Sequence, residues 1–210
     1  MSLPSRLLGA NPSIQVSTLL SGTLTTPSAK QAFVFPTAYE SIATVTLNGT
    51  QGYAEFLSIP ATYTHLQVRF IGRSSQAGTA RTSISMLLNS VQAGTPYDNQ
   101  RLFSHSASNV DFTSAANNNR MDVGHTLQDG NTSNIYSVGI VDIHDYTSTT
   151  AFKRLQFFGG WTDATSTITL GSGQWRSTSA VTAVAFSIEN NGFNWASGST
   201  FSLYGIKGAA

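Results

Sequence analysis

From Tyr39 to Lys207 this chain keeps returning to a two-residue alternation of apolar and polar side chains, and nowhere sustains the period of a helix. Alternation of that kind places successive side chains on opposite faces of a pleated strand. It is clearest over residues 64–73, where Leu66, Val68 and Phe70 point one way and His65, Gln67 and Arg69 the other. Ala43, Val45 and Leu47 repeat it, as do Ile84, Met86 and Leu88 among serines. No amphipathic stretch runs beyond about two helical turns. Turn chemistry punctuates the runs, as in Asn48-Gly49-Thr50-Gln51-Gly52 and the Ser/Gly stretch 74–78.

Residues 90–134 are looser, which predicts longer loops with one or two short strands near Leu102-Phe103 and Met121-Asp122-Val123. Order resumes over 135–146, 152–161, 166–176, 181–189 and 200–207. The spacing predicts about eight to ten strands in an all-β sandwich. No internal repeat points to a propeller or solenoid. Long links such as 90–134 suit Greek-key crossings, so the expectation is a jelly-roll-like antiparallel β-sandwich over residues 38–210. The last strand is expected to close the sheet beside residues 41–47. There Phe201 and Leu203 would face the core, Ser202 and Tyr204 would face outward, and Gly205 would allow a close approach.

Residues 1–37 have a different character. Pro4, Pro12, Pro27 and Pro36 lie among Ser, Thr and Gly, and no period persists. This predicts an extended N-terminal arm that orders mainly against a partner. Its candidate partner-binding residues are Leu7, Leu8, Leu19, Leu20, Phe33 and Phe35.

Charge narrows the function classes. Only 10% of residues are charged, against about 25% in ordinary domains. The net charge is +1, with basic residues scattered from Arg6 to Lys207. A phosphate-tracking protein needs a concentrated basic patch, so no nucleic acid is expected as a partner. No apolar run approaches the roughly 18 residues of a membrane helix, so no membrane insertion is expected. The absence of cysteine excludes disulfides and thiolate zinc sites. The first ten residues do not form a secretory signal.

Motifs that could carry chemistry are partial. In Asp142-Ile143-His144-Asp145, Asp142 and His144 share a strand face at metal-ligand spacing, but no second pair completes a site. Structural roles are expected, with Asp145 in the turn before Thr147-Ser148. Asp129-Gly130-Asn131-Thr132-Ser133 starts like a calcium loop without its later acidic ligand, so a turn is expected. Asn48-Gly49-Thr50 and Asn131-Thr132-Ser133 fit the glycosylation pattern but are expected to be turns. His65, His105, His125 and His144 have no serine elbow to join, so the chain is expected to be no enzyme and to carry no cofactor. Trp161, Trp175 and Trp195 lie near strand ends. They are candidates for stacking on glycan rings, or else plugs at the ends of the sandwich with each indole N–H given to a loop carbonyl.

Four segments carry a resemblance. They are Tyr39-Glu40-Ser41-Ile42-Ala43-Thr44-Val45, residues 58–69 around Tyr63-Thr64-His65-Leu66, residues 173–182 around Trp175-Arg176-Ser177, and residues 198–207. In that order the chain resembles small structural proteins of tailed bacteriophages, the marine and cyanobacterial kind. The resemblance implies a β-sandwich virion component on capsid or tail, repeated in symmetric copies, with a trimer favoured. A capsid decoration protein anchored by its arm is the leading expectation, a tail fibre or adaptor subunit is the second, and a carbohydrate-binding β-sandwich module is the alternative from another class. The implied partners are other virion proteins, with host-surface glycans as a further option. Assembly would take place in the host bacterial cytoplasm.

Overall fold

A computed structural model describes residues 38–104, 109–163, 166–189 and 192–208 of the chain. The chain divides into two units, Met1–Pro36 and Thr37–Ala210. The expected arm and its Leu7, Leu8, Leu19, Leu20, Phe33 and Phe35 lie outside the described residues, as does His105.

Among the described residues every regular element is a strand. They are β1 (Tyr39–Thr46), β2 (Tyr53–Phe56), β3 (His65–Gly72), β4 (Arg81–Leu88), β5 (Tyr97–Ser104), β6 (Val110–Asn118), β7 (Met121–Leu127), β8 (Ser137–His144), β9 (Lys153–Trp161), β10 (Thr167–Trp175), β11 (Val184–Ile188) and β12 (Thr200–Ile206). Twelve strands exceed the expected eight to ten. The surplus comes from residues 90–134, which hold β5, β6 and β7 where one or two short strands were expected.

Two antiparallel sheets result. The larger runs β1-β12-β3-β8-β9-β10-β5-β6 and the smaller β2-β11-β4-β7. The pairing is nested: β1 with β12, β2 with β11, β3 with β8, and β4 with β7. A ribbon paired in that way and wound across two facing sheets is a jelly roll, as expected. Two hairpins are inserted into it. β5–β6 lies within the link from β4 to β7, and β9–β10 within the link from β8 to β11. Both add to the same edge of the larger sheet.

The last strand pairs with the first, Val45 opposite Phe201. It does not close the sheet at an edge, because β12 sits between β1 and β3 and leaves β1 outermost. Phe201 and Leu203 are fully buried and Ser202 and Tyr204 face out. The close approach at Gly205 is made by a ring, since a Cβ there would fall 2.3 Å from Tyr63.

The core lies between the two sheets and centres on Phe201. Its ring is 5.3 Å from Phe70, 5.3 Å from Phe186 and 4.8 Å from Trp195. Fully burying one such side chain contributes about 1.5–3 kcal/mol. A second, smaller packing region forms where β7 crosses onto β9, β10 and β5. There Phe103 lies against His125, and the Arg81 and Arg101 guanidinium groups flank the Phe103 ring at 5.0 and 5.5 Å. Arg101 points inward toward Asp122 at 3.4 Å. Burial pulls its guanidinium below the ordinary value, and Asp122 opposes that shift.

Candidate functional site

The outer face of the larger sheet, away from the smaller sheet, is the surface that departs most from an ordinary sandwich. The residues opposite one another in register form straight rows across the strands. One row runs Thr200, Ile71, Val138, Gly160 and Ile168. Ser104, whose hydroxyl accepts the Ile168 N–H at 3.0 Å, carries it on to Val110. The next row runs Ser202, Arg69, Ile140, Phe158, Leu170, Leu102 and Phe112. We call these the first and second rows.

Eight large apolar side chains in the two rows are between 42% and 66% exposed: Ile71, Leu102, Val110, Phe112, Val138, Phe158, Ile168 and Leu170. They lie on the strands from β3 to β6. On β1 and β12 the same rows hold Thr44, Thr46, Thr200 and Ser202, so the apolar band stops short of that edge. An open groove of about 910 Å³ runs through it, bordered by Arg69, Tyr136 and Tyr204 on one side and Phe158 and Ile168 on the other. Gly160 leaves a gap in the first row between Val138 and Ile168. A side chain is barred there, because a Cβ would come 2.2 Å from the Thr167 carbonyl oxygen of β10.

Beside the band the face turns polar. A third row runs Tyr204, Gln67, Asp142, Gln156, Ser172, Gln100 and Ser114. Gln67 donates to Asp142 at 2.8 Å and accepts from Arg69 Nε at 2.8 Å, which buries it although it faces outward. Further along, the His65 and His144 rings meet edge to face at 5.3 Å. Arg154 donates to Gln174, Gln174 to Asp98 at 2.7 Å, and Arg176 lies 3.3 Å from Asp98. Burial pushes the Asp98 carboxyl up. The Gln174 and Asn117 hydrogen bonds and the Arg176 charge outweigh that and hold it below the usual value.

Asp142 and His144 do share this outer face, as their spacing predicts. Asp142 is engaged by Gln67 and His144 by His65, and the two do not meet a third ligand. Among the described residues no group of three His, Asp or Glu side chains could hold a metal. Asp145 lies in the turn, where its carbonyl accepts the Ser148 N–H at 2.9 Å. Residues 129–133 form a turn gripped by Arg73, which donates to the Asp129, Asn131, Thr132 and Ile135 carbonyls at 2.6–3.0 Å. Asn48 caps its own turn by accepting the Thr50 N–H at 3.1 Å. No helix among the described residues is long and apolar enough to cross a membrane.

The three tryptophans are buried, at 6% exposure for Trp161, 2% for Trp175 and none for Trp195. None presents a face on which a sugar ring could stack, so that candidacy does not hold. Trp161 and Trp175 end β9 and β10, whereas Trp195 lies in the link from β11 to β12. Of the three, only Trp195 gives its N–H to a carbonyl, that of Phe186 at 3.2 Å. The Trp161 and Trp175 N–H groups meet no acceptor among the described residues.

The apolar band itself was missed in sequence. Its signal was apolar residues at both parities of one strand, as in Val138, Ile140 and Val141, or Phe157 and Phe158. A strand with one face in water has no call for that pattern.

No protein-family model matches the chain, and no curated protein matches it.

Proposed function

We propose that this chain is a structural protein of a tailed-bacteriophage virion, a capsid decoration subunit anchored through residues 1–37 and assembled in the bacterial cytoplasm. The observation that carries the reading is the exposed apolar band on the larger sheet. Monomeric proteins seldom leave so many large apolar side chains together on one face, and such patches mark contact surfaces. Two further points support it. The jelly roll spans the residues that carry the resemblance to phage structural proteins. The polar groups beside the band are engaged mainly with one another, as in a surface built to hold its shape.

Purified particles test the reading. Imaging should place the chain on the capsid in regular copies, and its absence from purified particles would sink the proposal. Removing residues 2–37 should leave a folded jelly roll that no longer joins particles. Undiminished incorporation of the shortened chain would remove the anchoring role.

A further inference from the structure

The apolar band has a two-fold character in its own register. On β9 the second row's Phe158, 57% exposed, stands two positions from the gap in the first row at Gly160. A two-fold axis lying in the interface, parallel to the rows and midway between them, sets each residue of one row against the other row of the mate. Phe158 then stands over the mate's Gly160 gap, and the gap of the first copy receives the mate's Phe158. On β10 the same operation sets Leu170 against Ile168, and on β6 it sets Phe112 against Val110. Each apolar side chain of the second row finds a gap or an apolar or small neighbour in the first. That is the self-complementarity an isologous contact requires.

We propose that the outer face of the larger sheet is the contact between two copies of this chain, packed band to band with Phe158 inserted beside Gly160 of the mate. The size of the band fits. Eight side chains about half exposed present on the order of 900 Å² of apolar surface, close to the roughly 800 Å² each partner hides in a standard interface. The third row then lies at the border of the contact, where its amides and Asp142 stay wet. This gives the apolar centre and polar rim of a specific interface. A glycan fits the band less well, because its surface is mostly aliphatic, with Phe158 and Phe112 as its exposed aromatic rings. The pairing deepens the assembly reading and rests on it for its purpose.

The test uses the full chain in solution, with mass followed against concentration by sedimentation. Wild type should be a dimer, and Phe158→Asp should weaken association by on the order of 30-fold or more, as removal of a central anchor does. Leu57→Asp is the control, because Leu57 is 65% exposed but lies outside the sheet strands. It should leave the mass unchanged. The chain has no cysteine of its own. A mixture of Ile168→Cys and Leu170→Cys chains should therefore oxidise to a covalent dimer more readily than either chain alone. A monomeric wild type, a three-chain mass, or a Phe158→Asp dimer as tight as wild type would overturn the pairing. The two proposals fail separately. A monomer that still joins particles overturns the pairing alone, and a dimer absent from particles overturns the virion reading alone.

Discussion

Arg73 shows how a single side chain can set the shape of a loop. It is 5% exposed, and its guanidinium donates to four carbonyls spread over residues 129–135. A planar fork of donors can satisfy several carbonyls at once, whereas an ammonium presents a single point. With Arg73 in place these loop carbonyls are paired. Arg73→Met should therefore lose about 3 kcal/mol or more, since charge-assisted bonds are removed and the carbonyls must find water. Arg73→Lys should recover only part of that loss. The measurement is urea unfolding at neutral pH, and a lysine variant as stable as wild type would refute the fork argument. Tyr97 acts in a similar way, with its hydroxyl accepting the Leu88 N–H at 2.9 Å and donating to the Val91 carbonyl at 3.1 Å. Burial pushes its phenol up to about 12, so the hydroxyl keeps its proton, and this bond, far into alkaline solution.

At the scale of strands, β5 and β10 are joined on the outer face by the chain Arg154, Gln174, Asp98 and Arg176. Asp98 is held below its usual value of 3.8 in the folded protein. The stability it contributes is complete above the unfolded value and is lost as pH falls through the lower folded one. Asp98→Asn should therefore be less stable than wild type at pH 7, by about 1 kcal/mol or less for a partly exposed pair. The difference should shrink as pH drops below about 4. Parallel urea titrations at pH 7 and pH 3 check this, and a gap of equal size at both would contradict it. These strands also explain what sequence could and could not deliver. β3 and β12 were legible because each alternates cleanly between core and surface, with Leu66, Val68 and Phe70 or Phe201 and Leu203 on one side. β5 and β6 were not. β5 turns Asn99 and Arg101 inward, where polar residues spoil the pattern. β6 is an outer strand whose residues are exposed or half-exposed throughout, so no apolar period develops. The band was hidden for the opposite reason, since apolar residues on both faces of β8 and β9 read as core.

At the scale of the molecule, the two inserted hairpins give the larger sheet two halves with different support. β12, β3 and β8 lie over the aromatic cluster of Phe70, Phe186, Phe201 and Trp195. β5 joins the main core through Tyr97 at one end. Its other end rests on the smaller packing region, where charged Arg81, Arg101 and Asp122 share space with Phe103, and β6 packs on β5. Apolar burial holds the first half, whereas the second depends on fewer apolar contacts and on partly desolvated charge, which contributes less net stability. Local opening follows that difference, because regions with few buried apolar contacts open at free energies well below the global one. Native-state hydrogen exchange should show it directly. Amides bonded between β5 and β6 should exchange at least about 10-fold faster than those between β3 and β12, reflecting an opening cost lower by about 1.4 kcal/mol or more. In a dimer formed band to band, Val110 and Phe112 of β6 lie inside the contact, so protection there should rise with protein concentration, while the amides bonded between β1 and β12, beyond the band, stay unchanged. Equal protection across the sheet in dilute Phe158→Asp protein would show instead that the inserted hairpins are as firmly held as the jelly roll they extend.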